Sequence, residues 1–412
     1  MRRVAESIAI CCLVSCAGSS VRDAQTQGTE SSSTAATPSS VGDAGTSHGS
    51  SSPSPSTGAT STPTADSTDA GGADVGVGGC VALVGGLQAG GDRLDLLLAD
   101  GLIEDAGVFG REHPAHDCEE VVDLSGQWLA PAFIDSHVHL AYLPAAEALA
   151  TRGVAAAVDL AAPLSFLEDL PSSPTVLAAG PMITAVGGYP TQSWGSNGYG
   201  IECADADEAV AAVDLVHERG ARMIKIPLGV GPQLPTDALD AAIARAQKHG
   251  LPVVGHALGD ASAMQAAMVG VEVLAHTPTQ PLGPATVAAW SGGAVITTLA
   301  AFGGSASARD NLAALREAGA TVMYGTDLGN SSDAGIQVAE ILAMQEAGMD
   351  GAAIVAAGTS TPASYWGMDE LGSLESGKAA SVLVLSDDPV SDPLVLSEPV
   401  MVWLDGVQVG GN

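Results

Sequence analysis

Positive charge is scarce in this chain. Its 412 residues carry 14 Lys plus Arg against 47 Asp plus Glu, a formal net charge of -33. A surface of that sign repels phosphate backbones, which excludes nucleic acid as a partner. Aromatic residues are few as well, at 3% against 46% hydrophobic, so the core has to be filled by Ala, Val, Leu and Ile. The apolar run Ser7–Val14 is too short to span a bilayer. Only three lysines occur, Lys225, Lys248 and Lys378, so the place of each carries information.

What is present at the N-terminus reads as targeting. Arg2 and Arg3 precede the apolar run, which closes in Leu13-Val14-Ser15-Cys16. That ending resembles the lipobox of bacterial lipoproteins, in which the cysteine is acylated and becomes the first mature residue. Ser15-Cys16-Ala17 also suits ordinary cleavage after Ala17. Residues 1–15 are therefore expected to be a signal peptide and Cys16 the lipidation site, making the protein exported and held at a membrane through its anchor alone. Of six cysteines, Cys11 and Cys12 would leave with the signal. Cys80, Cys118 and Cys203 remain, so at most one disulfide forms within the chain, and Cys80 with Cys118 in one small domain is a candidate pair.

From residue 16 to 79 the sequence is Ser, Thr, Ala, Gly and Pro with no apolar periodicity. Such a segment cannot bury enough surface to offset its ordering entropy and is expected to be a disordered tether. A flexible coil of about 60 residues spans roughly 40–50 Å. It holds Gly45-Thr46-Ser47-His48-Gly49, a formal match to the serine-hydrolase pattern G-x-S-x-G, without the strand and helix that pattern needs.

After Cys80 short apolar runs alternate with Gly and Asp turns (Val81–Val84, Leu94–Leu98, Leu102–Ile103), and similar runs return at Val382–Leu385 and Val400–Trp403. Between these flanks lie eight β-like runs: Phe133–Val138, Val154–Leu160, Val176–Ala179, Met223–Ile226, Pro252–Gly255, Val271–Ala275, Val295–Leu299 and Val322–Tyr324. Helical stretches separate most of them, among them Ala206–Arg219, Thr236–His249, Ala261–Val269 and Ala306–Ala318. Eight strands alternating with helices predict an α/β fold, a (β/α)8 TIM barrel over 131–370. The ends, 80–130 and 371–412, would form a small β-sandwich domain. A doubly wound sheet is the alternative, but histidines stand where its glycine-rich phosphate loop belongs.

A barrel places its chemistry at the C-terminal ends of its strands. The first run ends in His137-Val138-His139, where i and i+2 share a face and both imidazoles can reach one ion. The fifth is followed by His256, the sixth by His276 and the eighth by Asp327, while the fourth places Lys225 between Ile224 and Ile226. Singly, each has a bland reading: a satisfied core histidine, or an Asp capping a helix. Lys225 is harder to dismiss, because a charged lysine in an apolar strand is costly unless paired or neutralised. Five strand ends matching together outweigh the separate bland readings.

The segment Leu129-Ala130-Pro131-Ala132-Phe133-Ile134-Asp135-Ser136-His137-Val138-His139 resembles the opening motif of the amidohydrolase superfamily, P-G-F-I-D-x-H-x-H. Gly325-Thr326-Asp327 is similar to its strand-eight motif, and Leu371–Ala380 to the stretch leading back into its small β domain. The nearest branch is the imidazolonepropionase-like and Xaa-Pro dipeptidase-like group. Ala132 stands where glycine is usual, and Ser381 where aspartate is. The resemblance implies that His137, His139 and Asp327 bind one divalent ion, that His256 and His276 bind a second, and that Lys225, carboxylated by carbon dioxide, bridges them. Imidazole and carboxylate ligands suit zinc. The implied reaction is hydrolysis of an amide-type C–N bond by metal-activated water, with Asp327 as base and then acid. The substrate would be a small molecule: a cyclic amide, a dipeptide with C-terminal proline, an N-acyl amino acid or a lactone. Tyr142 and the loop Gly187–Trp194, expected to follow the third run, with Tyr189 and Trp194, either line the pocket or pack elsewhere. Two rival readings remain: a mononuclear enzyme with an unmodified Lys225, and a non-catalytic surface-binding lipoprotein.

The lipobox reading predicts that the wild-type protein partitions into the detergent phase and that Cys16→Ser moves it to the aqueous phase. Wild-type protein that stays aqueous, or whose mature form begins at residue 18, contradicts it.

Overall fold

The apolar runs become short strands because their side chains are buried on both faces, which lets Val, Ile, Leu and Ala follow one another without polar alternation. The structure, a computed structural model, describes residues 79–411. The expected signal peptide, Cys16, the Gly45–Gly49 match and the tether up to residue 78 lie outside the described residues. In chain order the strands are β1 (Val81–Leu87), β2 (Arg93–Ala99), β3 (Leu102–Gly107), β4 (Glu120–Asp123), β5 (Trp128–Pro131), β6 (Phe133–Val138), β7 (Val154–Asp159), β8 (Thr175–Ala178), β9 (Met182–Ala185), β10 (Gly200–Cys203), β11 (Ile224–Pro227), β12 (Val253–His256), β13 (Val273–Leu274), β14 (Ala294–Ile296), β15 (Thr321–Met323), β16 (Val382–Leu385), β17 (Met401–Leu404) and β18 (Val407–Gly410).

The middle of the chain holds three all-parallel groups, β6-β7-β8, β9-β10 and β11-β12-β13-β14-β15. Helices fill most of the connections, including Ala206–Glu218, Thr236–His249, Asp260–Val269 and Ala306–Glu317. Asp205 and Ser305 cap two of these through side-chain acceptors, and Gly250 and Gly270 end two others in left-handed backbone. The first and last parallel groups meet through Ser136 N–H donating to Tyr324 O (2.9 Å) and Asp327 N–H donating to His137 O (2.8 Å). All eight runs expected as barrel strands are strands. The pair β9-β10 adds two that the periodicity did not reveal, since Gly200-Ile201-Glu202-Cys203 carries no apolar run.

The two ends of the described chain share one mixed eight-stranded sheet, ordered β18-β17-β16-β5-β1-β2-β3, with β4 on β1. Its strands sort their side chains by twos. Val382, Val384 and Trp403 join Leu83, Leu96 and Ile103 in a core private to this sheet. Leu383, Leu385, Val402 and Leu404 point the other way, into the core of the parallel strands. That double burial explains why Val382–Leu385 is apolar at every position. The two departures from the family pattern meet here, with Ala132 N–H donating to the Ser381 carbonyl at 3.0 Å.

Cys80 and Cys118 form a disulfide beneath Phe109 and Ala115, and Cys203 is free and buried. The bridge spans 38 residues. Replacing both cysteines by serine should therefore lower unfolding free energy by about 3–4 kcal/mol, read from the denaturant midpoint under non-reducing conditions. An unchanged midpoint would show that the bridge closes no loop that the sheet does not already hold.

Candidate functional site

Every histidine that the strand-end argument singled out reaches one cavity, and backbone carbonyls set the orientation of the deepest. His137 Nδ1–H donates to the Ala275 carbonyl at 2.8 Å. A carbonyl only accepts, so the proton sits on Nδ1 and the Nε2 lone pair is free for a cation. His137 Nε2 lies 3.3 Å from His139 Nε2 and 3.5 Å from Asp327 Oδ1, and His139 Nε2 lies 3.2 Å from the same oxygen. His276 comes within 3.8 Å of Asp327 Oδ2. His256 meets His276 edge to face, ring centroids 4.9 Å apart. Burial holds His137 and His276 well below the usual imidazole range and His256 at about 3. Neutral imidazoles are the form that ligates metal.

Two glycines let these ligands approach. A β-carbon at Gly325 would run into Ile296 and press on His137, and one at Gly329, where φ is +122°, would come within 2.8 Å of the His139 β-carbon. Asp327 lies four residues beyond the end of β15, in left-handed backbone at φ +51°. The expected strand-end position is thus a turn. No helix follows directly, which removes the helix-cap reading of this residue.

Lys225 is the second residue of β11, with no accessible surface. Its Nζ has no hydrogen-bond partner, and burial pulls its pKa down to about 7. A buried amine without a partner, beside imidazoles with free lone pairs and a carboxylate, is a donor set short of cations. The residues therefore fit a divalent metal ion, and His137, His139 and Asp327 lie within 4.8 Å of one another at their ligand atoms.

Three buried carboxylates that the sequence reading did not pick out hold the loops behind these ligands. Asp135 accepts from His137 N–H (3.1 Å), Thr326 N–H (3.0 Å) and Thr326 Oγ1–H (2.6 Å), joining the first and last parallel groups directly beneath His137 and Asp327. Asp159 accepts from Leu140 N–H at 2.6 Å and Ala161 N–H at 3.1 Å. Glu340 accepts from Leu299 N–H and Ala300 N–H at 2.9 and 2.7 Å, setting the loop that puts Phe302 against His276. Burial pushes these carboxyls up to about 7, 6 and 7 respectively. Asp159 had a readable signal, a charge at the end of an all-apolar run, as with Lys225. Glu340 had none.

The cavity above the histidines encloses about 290 Å3. Tyr142, Tyr189 and Trp194, the three expected substrate residues, all line it, joined by Met182, Phe302 and Asn330. Trp194 Nε1–H donates to Tyr189 Oη at 2.8 Å. The loop carrying both follows β9 rather than the third apolar run, because β9 intervenes.

The sequence profile of the amidohydrolase family matches residues 128–409, and the chain belongs to that family of metal-dependent hydrolases. An uncharacterized protein of Mycobacterium tuberculosis is 25% identical over 359 residues, covering 77% of this chain and 92% of that protein. Among solved structures, a Xaa-Pro dipeptidase with bound methionine in its active site is similar at 21% identity and a TM-score of 0.68. That match covers 81% of this chain and all of the other. A molinate hydrolase is similar at 19% identity and a TM-score of 0.64, covering 80% of this chain and 94% of the other.

The unpartnered amine yields a stability test. In chelator-treated protein Lys225→Met keeps an unbranched side chain one atom shorter and removes its buried nitrogen, so unfolding free energy should rise by about 1–3 kcal/mol. A loss of similar size in thermal or denaturant unfolding would mean that the amine holds the apoprotein together.

Proposed function

We propose that this chain hydrolyses an amide-type C–N bond in a small molecule, using two divalent ions, zinc by ligand chemistry, bridged by a carboxylated Lys225. The observation that carries the reading is the Lys225 Nζ, buried without a partner on the wall of the histidine cavity. A neutral amine there reacts with carbon dioxide to form a carbamate, releasing one proton and exchanging a would-be cation for an anion. His137, His139 and Asp327 would hold one ion, His256 and His276 the other, and the carbamate oxygens both. Bound ions supply Lewis acidity, polarising the scissile carbonyl and lowering the pKa of water.

The chain's own groups then move the proton. Asp327 Oδ1 sits between the His137 and His139 nitrogens, while Oδ2 accepts from Asn330 Nδ2–H at 3.1 Å. With both oxygens oriented, Asp327 takes the proton of the attacking water as its oxygen bonds to the carbonyl carbon. It hands that proton to the nitrogen as the C–N bond breaks.

The reading also takes the three parallel groups as arcs of one (β/α)8 barrel. The hydrogen bonds between the end of β6 and the segment after β15 support it, as does the opening of His137, His139, Lys225, His256, His276 and Asp327 onto one cavity. Export and anchoring through Cys16 belong to the same reading, and the Cys80–Cys118 disulfide, a bond of oxidising compartments, supports it.

Purified protein should hold close to two divalent ions per chain, and chelation should abolish hydrolysis of a cyclic-amide and acyl-amide panel. Asp327→Asn should lower kcat by about 10²–10⁴-fold while the far-ultraviolet circular dichroism stays unchanged. Full activity in metal-free protein contradicts the proposal. One ion beside an unmodified Lys225 supports the mononuclear alternative.

A further inference from the structure

Fourteen aromatic side chains serve the whole 412-residue chain, and four of them, with one methionine, form the wall of a single cavity. Trp194 stands edge-on to Tyr142 at 5.4 Å and 77° and to Tyr189 at 6.1 Å and 68°, with Met182 and Phe302 completing the wall. Tyr142, 49% exposed, marks the rim. Among the described residues, the only lysine or arginine lining this cavity is Lys225, and it lies on the floor with the metal-ligand set. Other cations are committed elsewhere: Arg152 to Asp333, Arg219 to Glu168, Arg245 to Asp214 and Arg309 to Glu346.

From this wall, and resting on the hydrolase reading above, we infer that the substrate group seated in the cavity is uncharged and compact. An aryl ring or a short branched apolar group fits, and no carboxylate accompanies it. A carboxylate away from the scissile bond would need a fixed cation or several N–H donors. The wall offers the two neutral hydroxyls of Tyr142 and Tyr189 with indole and thioether, and no cation to neutralise a carboxylate. The indole N–H is already given to Tyr189, and the Asn330 amide is spent on Asp327 and the Ala301 carbonyl. Ions on the floor would be engaged with the reacting carbonyl, leaving a second anionic group unpaired in an apolar site. The chain's net charge of -33 repels anions before they arrive. Size points the same way. About 290 Å3 lies at the small end for ligand pockets, which favours a compact group. Proline dipeptides and N-acyl amino acids thereby leave the candidate substrates, and cyclic amides, lactones and neutral acyl amides stay.

Matched pairs on the zinc-loaded enzyme test it. N-acetylpyrrolidine against N-acetylproline, and 4-methylacetanilide against 4-acetamidobenzoate, each differ by one carboxylate. The neutral member should be favoured in kcat/KM by about 100-fold. Tyr142→Arg should raise the carboxylate member by about tenfold relative to its partner, because a rim cation then pairs with it. A wild-type preference for the carboxylate members overturns the inference. Binding is measured separately by quenching of Trp194 fluorescence, with Trp194→Leu as the control. If both pairs bind with the neutral member tighter but neither turns over, the wall is read correctly and the hydrolase reading fails. Equal or tighter binding of the carboxylate members overturns the inference whatever the turnover.

Discussion

Four imidazoles, one carboxylate and one lysine amine share a buried space in which lone pairs outnumber the protons available to satisfy them. Burial keeps three of the imidazoles neutral, and the Ala275 carbonyl fixes the tautomer of the deepest. Such a cluster is a donor set short of cations, and much of the surrounding architecture holds it open and aligned. Gly325 and Gly329 withhold β-carbons where ligands approach. Asp135, Asp159 and Glu340 are each spent on backbone N–H groups of loops that carry or flank the ligands. Removing water from a carboxylate is costly, and three such groups behind one site show how much stability the fold gives up to fix its geometry.

Charge is divided unevenly between surface and site. The chain is strongly acidic, and several of the arginines of the described part are paired on the outside. The cavity wall is apolar above and ligand-rich below. On the proposed reading, bound ions would supply the electrophilic power, and the chain's own side chains alignment, proton transfer and shape. The aromatic wall gives an otherwise aliphatic protein a rigid surface of low conformational entropy on which a small group can be oriented.

The parallel strands were legible because fully buried strands write themselves as unbroken apolar runs, and the polar residues of the cavity because side chains of that kind at the ends of such runs have no evident packing role. Lys225 showed this most clearly. The paired strands β9 and β10 were hidden: Gly200-Ile201-Glu202-Cys203 has one strongly apolar residue and gains its order from pairing with Met182–Ala185. Their insertion also displaced the aromatic loop from the strand expected to carry it. Asp327 was found through its motif, but its left-handed turn depends on contacts with His137 and Asp135 that lie almost 200 residues away in sequence. Glu340 was illegible for the same reason. An acidic residue early in a helix looks solvent-exposed until the loop at Leu299 folds over it. The sharing of one sheet by both ends of the described chain was visible only as two similar sets of apolar runs, whose register required β5 and β16 to be placed side by side.

On the proposed reading, Lys225 becomes an anion that bridges two cations. Protein loaded with zinc and ¹³C-bicarbonate tests it directly by ¹³C NMR. The account predicts a protein-bound carbamate resonance that is absent from Lys225→Ala and disappears when the metal is chelated. A fully zinc-loaded, active protein with no such resonance would contradict it.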